Sequence, residues 1–138
     1  MKTTTPKITL VVPVEIEVSR FADVLCCAFE GGSNYWYRIE KFVAPTEFLV
    51  RTDDKQIFKH IDYPVNPGGS LIVSNYKVCD RGERPVRRKL NLASIKKGAL
   101  VMASKYPRQW ANLMNENFDA DTGDVFLQCC LFGEALYG

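Results

Sequence analysis

The stretch from Val125 to Tyr137 is almost wholly apolar, with only Gln128 and Glu134 clearly polar. A helix that is apolar all round has no face to offer to water and must be covered on every side. The rest of the chain must therefore wrap around this segment, or the segment must help to form an oligomer interface. No run comes near the roughly 18 apolar residues that a membrane span requires.

The preceding segments change periodicity along the chain. Ile8, Leu10, Val12, Val14, Ile16 and Val18 alternate with period two, which predicts a half-buried strand from Ile8 to Val18, edge-placed or bulged at Pro13. Ser19 is positioned to cap a short helix whose apolar face is Phe21, Val24, Leu25, Ala28 and Phe29, stopped by Gly31-Gly32. Tyr35–Phe42, Phe48–Thr52, Ile57–Tyr63 and Leu71–Val78 are rich in aromatic and β-branched residues and read as further strands. Asp53-Asp54-Lys55 and Pro64–Ser70 separate them as turns. Cys79–Lys89 reads as a polar loop. Beyond it, Asn91 is a plausible cap for a helix with Leu92, Ile95, Ala99, Met102 and Tyr106 on one side. Pro107 opens another helix with Trp110, Leu113 and Met114 as its apolar side.

Segregated runs of strands and helices predict an α+β fold. The expected form is an antiparallel sheet of four to five strands, with a short N-terminal helix and three C-terminal helices packed on one face. One domain is expected over residues 1–138: strand-rich over 1–78, a basic loop at 79–89 and helical over 90–138. At this length a chain buries about two thirds of its unfolded surface, enough to hold together without disulfides.

The five cysteines include two vicinal pairs, Cys26-Cys27 and Cys129-Cys130, with Cys79 left over. An odd count in this arrangement does not resemble an extracellular disulfide framework, and reduced core thiols in a cytosol are expected. Met1–Pro6 is polar and the apolar run after it is broken by Pro13 and two glutamates, so no secretory signal is expected.

No catalytic constellation stands out. The single histidine, His60, lies in an expected strand, and no Ser/His/Asp or Cys/His arrangement can be built without it. The loop Asn117–Asp124 is rich in Asp, but neither possible frame supplies both the glycine and the terminal glutamate of a calcium loop. A cap at Asp121 or Thr122, with Asp124 in the first helical turn, accounts for it better. The expectation is a protein that is not an enzyme and takes no metal or cofactor.

Charge is the more informative feature. Residues 79–108 carry nine Lys/Arg against two Asp/Glu, while 109–138 carry none against five, in a chain of net charge +2. Arg81, Arg84, Arg87, Arg88 and Lys89 are followed by Lys96, Lys97, Lys105 and Arg108. Arginine presents a planar fork suited to phosphate. Gly31-Gly32 is followed at once by Ser33, Asn34, Tyr35, Trp36 and Tyr37, whose rings could stack on a base while small residues admit a ligand to the backbone. The expected binding residues are therefore Tyr35, Trp36, Tyr37, Arg81, Arg84, Arg87, Arg88, Lys96 and Arg108.

At Glu30-Gly31-Gly32-Ser33-Asn34-Tyr35-Trp36, Lys105-Tyr106-Pro107-Arg108 and Thr122-Gly123-Asp124-Val125-Phe126-Leu127-Gln128-Cys129, the chain resembles small uncharacterised proteins encoded by phages and prophages. The resemblance carries over no functional residues. It implies a context, the host bacterial cytoplasm, in which such proteins counter host defence. One expectation is a non-enzymatic sponge, a homo-oligomer sequestering a phosphate-containing cyclic nucleotide signal. The alternative is a protein–protein inhibitor of a defence effector, similar to an anti-CRISPR protein.

Overall fold

In the computed structural model, which describes residues 5–47 and 59–138, the apolar C-terminal segment is the central helix. In chain order the elements are α1 (Val18–Cys27), a π-helical turn (Ala28–Gly32), β1 (Arg38–Val43) and a 3-10 turn (His60–Asp62). Then follow β2 (Ser70–Ser74), a second 3-10 turn (Tyr76–Val78), β3 (Arg87–Leu90), α2 (Leu92–Lys105), α3 (Pro107–Met114) and α4 (Ala120–Phe132). The fold is α+β, with a three-stranded antiparallel sheet in the order β1-β2-β3 among the described residues.

Helix α4 buries Phe126, Leu127, Cys129, Cys130 and Leu131 against the other elements of its own chain, so it is not available as a subunit interface. It begins earlier than its apolar run suggests. Asp119, rather than Asp121 or Thr122, is the N-cap, and its carboxylate accepts the Thr122 N–H at 3.0 Å. Gly133 ends the helix before Tyr137 by adopting φ 74°, a left-handed conformation that glycine enters freely. Two glycines permit the close packing. Gly98 of α2 lies against Cys130, and Gly123 lies against the α1 backbone at Val24 and Ala28.

Asn91 caps α2 as its sequence suggests, accepting the Ser94 N–H at 2.9 Å, and Pro107 starts α3. Helix α1 buries Phe21, Val24 and Leu25, but its N-cap is Glu17 and Ser19 lies inside its first turn. No helix among the described residues is long and apolar enough to cross a membrane.

Three of the sequence expectations in this half of the chain need correction. Over Ile8–Val18, residues 8–17 form no strand and Val18 opens α1; apart from Ile16, which packs against the core, the apolar side chains are exposed. Of Ile57–Tyr63, the described part holds the 3-10 turn His60–Asp62, because Asp62 folds back to accept the Lys59 N–H. Phe48–Thr52 and the turn Asp53–Lys55 lie outside the described residues. The polar loop ends early: Arg87–Leu90 is strand β3, paired with β2 from Leu71↔Leu90 to Ser74↔Arg87.

Candidate functional site

Strand β1 explains how cations come to line one side of the sheet. Its register with β2 runs Arg38↔Ser74 and Ile39↔Val73, then shifts to Lys41↔Ile72 and Phe42↔Leu71, leaving Glu40 as a bulge. A bulge inserts one residue and reverses the alternation of those that follow. Ile39 and Phe42, three apart, thus share the side of Val73 and Leu71, whereas Arg38 and Lys41 share the opposite side. Leu71, Val73 and Leu90 belong to the core. Residues directly opposite each other occupy one face, so the outer face carries two rows across the three strands. One row is Arg38, Ser74 and Arg87; the other is Lys41, Ile72 and Lys89. The ends of each row lie about 10 Å apart, two strand spacings.

The first row is preorganised. Glu40 receives Arg38 through two hydrogen bonds, Nε to Oε1 at 3.2 Å and Nη2 to Oε2 at 3.0 Å. The Ser74 hydroxyl donates to the same carboxylate at 2.8 Å, and Arg87 Nη2 lies 4.0 Å from it. The Arg38 and Ser74 hydrogen bonds hold the Glu40 carboxyl below its ordinary value despite partial desolvation. Beneath this network, the Arg38 guanidinium stacks on the Tyr76 ring at 3.7 Å. Lys41 and Lys89 form no ion pair among the described residues, and the second row keeps its full positive charge. At its end, Lys89 borders a cleft of about 350 Å³ lined by Val43, Gly68, Ser70 and Asn91 at the start of α2.

Of the expected aromatic platform only Tyr35 is exposed. Trp36 is 0 % exposed, and its indole N–H donates to Asp124 Oδ1 at 2.7 Å. Ser33 Oγ and Gln128 Nε2 donate to the same oxygen at 2.7 and 3.0 Å, and the Tyr35 hydroxyl donates to Oδ2 at 2.6 Å. Tyr37 packs edge-on against Phe29 and donates its hydroxyl to the Phe29 carbonyl at 2.8 Å. Tyr35 and Trp36 satisfy the buried carboxylate and Tyr37 a backbone carbonyl, so all three side chains are engaged in holding the fold together. Desolvation by burial, then the hydrogen bond to Asp124, pushes the Tyr35 phenol well above its ordinary value.

The basic residues separate as well. Arg87 lies on the outer face, whereas Arg88 pairs with Val73 and takes the opposite parity. Arg81 and Arg84 are exposed in the loop before β3, Lys96 borders an apolar cleft on α2, and Arg108 is exposed in the first turn of α3. Sequence reasoning did not assign Arg38, Lys41, Lys89 or Tyr76 to the site. The period-two placement of Arg87 and Lys89 was the available signal, hidden inside a segment read as loop.

One cleft of about 350 Å³ brings Cys26, Glu30 and His60 together. Burial, followed by the charges of Glu30 and Asp23, raises the Cys26 thiol, which opposes thiolate formation. His60 is exposed against the Phe42 ring. Asp124 points into the core instead of joining a calcium loop, and no group of three His, Cys, Asp or Glu among the described residues is placed to hold a metal ion. No protein-family model, curated protein or solved structure matches the chain.

Proposed function

We propose that this is a non-enzymatic binding protein that captures a phosphate-bearing ligand on the outer face of its sheet, a sponge for a phosphate-containing nucleotide signal in a bacterial cytoplasm. The observation that carries the reading is the pair of cross-sheet rows, Arg38–Ser74–Arg87 and Lys41–Ile72–Lys89. Glu40 fixes the arginines while neutralising part of their charge, and the unpaired lysines supply the attraction. Arg87 presents its guanidinium fork to phosphate oxygens, Arg38 adds the Nη1 edge that Glu40 does not engage, and Tyr76, half exposed beneath Arg38, is the aromatic surface beside them. The counter-defence role follows from the phage resemblance.

Calorimetry against a panel of cyclic nucleotides, with wild type and Lys41→Ala/Lys89→Ala, tests this reading. Binding by the wild type and a loss of roughly tenfold or more in the double variant are expected, each lost charge-assisted contact being worth about 1.5–3 kcal/mol if buried and less at an exposed face. No heat from any member, or equal affinity in the double variant, overturns it.

A specific observation favours a second reading, a protein–protein inhibitor. Arg81, Arg84 and Arg88 are exposed away from the two rows, and together with them would suit a broad acidic protein surface better than a small ligand. Recovery of a host effector in a pull-down, abolished by Arg84→Glu/Arg88→Glu, would establish this alternative.

A further inference from the structure

Residues 5–17 form an arm without helix or strand, and none of the hydrogen bonds among the described residues ties the backbone of 5–16 to another segment. Its apolar side chains lie in solvent: Ile8 is 88 % exposed, Leu10 76 %, Val11 96 %, Val12 67 % and Val14 60 %. The strand-like alternation thus exists without a strand partner. Val12, Val14 and Ile16 also form one wall of a cleft of about 580 Å³, whose other walls include Leu100, Ala99 and Trp110. Leu100 on α2 is itself 66 % exposed, so arm and helix present one continuous apolar face. Folded monomers rarely leave a patch of this kind open.

We propose that the arm pairs antiparallel with the same arm of a second copy of this chain, in a register centred on Val11, and that the resulting two-stranded ribbon closes both clefts. The charge pattern selects this partner and this register. Ile8 to Val14 contains no charge, with Lys7 immediately before it and Glu15 immediately after it. Centring on Val11 sets Lys7 opposite Glu15 twice across the two-fold axis, and sets Ile8 opposite Val14 and Leu10 opposite Val12. Opposite charges across a strand pair are favourable and like charges unfavourable.

Pro13 supplies an independent condition. In an antiparallel pair, hydrogen-bonded and non-hydrogen-bonded pairs alternate. If Val11 meets Val11 as a non-hydrogen-bonded pair, Pro13 opposite Thr9 is also non-hydrogen-bonded, and its missing N–H faces away from the partner. Leu10–Val12 and Ile8–Val14 then carry the ladder. The even-numbered residues share the face that already borders the cleft, and Ile8 and Leu10 of the second copy lie beside Val14 and Val12 above Leu100. This inference does not depend on the proposed ligand.

Sedimentation velocity on the full chain, with paired variants, tests both the dimer and its register. The wild type is expected to sediment as a dimer, and Ile8→Asp/Leu10→Asp as a folded monomer, because the arm lies outside the core. Lys7→Glu and Glu15→Lys should each weaken dimerisation by roughly tenfold, two cross-strand pairs changing sign at up to about 1 kcal/mol each. The double swap should restore it. Val11→Cys should form an intersubunit disulfide under mild oxidant that wild type does not, since residues facing each other in a non-hydrogen-bonded pair have their Cα atoms about 4.5 Å apart. A monomeric wild type, a larger assembly, or a dimer indifferent to Ile8→Asp/Leu10→Asp overturns the proposal. Failure of the double swap to rescue, or of Val11→Cys to cross-link, overturns the register.

Discussion

Trp36 and Asp124, 88 residues apart in sequence, meet inside the molecule through a 2.7 Å hydrogen bond from the indole Nε1 to Oδ1. Around this contact the loop 33–37 is fastened to α4, and Gln128 extends the fastening to the C-terminal tail. Gln128 Oε1 accepts the N–H groups of Leu136 and Tyr137, and Nε2 also donates to the Tyr137 carbonyl. Lys105 donates to the Gly133 carbonyl, and the Tyr106 hydroxyl accepts the Ala135 N–H. The three sequence blocks that stand out as motifs thus contribute to one architectural clasp.

Asp124→Ala removes the acceptor for buried donors on Ser33, Trp36 and Gln128. Each buried polar group left unsatisfied costs about 1–3 kcal/mol, and a total loss of roughly 3–5 kcal/mol is expected. Urea denaturation followed by tryptophan fluorescence measures it. A loss under about 1 kcal/mol would mean that water replaces the carboxylate without penalty.

Gly123→Ala would place a methyl group 2.7 Å from the Ala28 nitrogen and 2.8 Å from the Val24 carbonyl oxygen. Backbone atoms yield little, so a destabilisation of about 1–3 kcal/mol is expected, typical of overpacking. Gly31→Ala meets nothing within 4 Å and should be neutral or slightly stabilising. Thermal melts of the two variants should move apart; equal melting temperatures would refute the close α1–α4 approach.

Phe126 is fully buried in α4 and stacks on Phe21 with ring centroids 5.5 Å apart and planes at 10°. Truncation to alanine should cost about 3–5 kcal/mol, combining lost transfer energy with a cavity. Chemical denaturation would contradict the central placement of the ring if it registered less than roughly 1 kcal/mol.

Alkali should weaken the fold. Burial raises the Cys129 thiol from 9.0 to about 11, and also raises the Cys130 thiol well above its ordinary value. The Tyr35 phenol is raised above 10.0 by burial and by Asp124. For each group the folded value exceeds the unfolded one, so above the unfolded value the unfolded chain binds fewer protons and stability falls with rising pH. This contribution is complete below pH 9.0 and declines from there upward, the phenol joining above 10.0. Urea midpoints should drop between pH 9 and 11, and Tyr35→Phe should flatten the upper part of that decline. A midpoint independent of pH across this window would refute the burial of these groups.

The helical half was legible because its information is local. Asn91 caps α2, Pro107 opens α3 and the spacing of Phe21, Val24, Leu25, Ala28 and Phe29 gives the buried side of α1 and the π-helical turn that continues it, all from contacts within a few residues. The apolar character of Val125–Leu131 required cover on every side, by the rest of the chain or by another subunit, and the packing of its own chain supplies it. The sheet was less legible, because period-two alternation in residues 8–17 satisfies the pattern of a strand without supplying a partner, and the Glu40 bulge breaks alternation in a strand that does pair.

The candidate site lay on the illegible side of that division. Basic residues are visible in the sequence as a run, but which of them share a face depends on strand register, and Arg38 and Lys41 join Arg87 and Lys89 only through pairing with β2. The role of Trp36 was decided in the same way. Its sequence neighbours describe an aromatic cluster open to a ligand, whereas the acceptor that holds it is carried by a helix distant in the chain. Local propensity and periodicity set the helices, the Asn91 cap and the need for a buried α4; long-range register and the satisfaction of buried polar groups decided which side chains face outward.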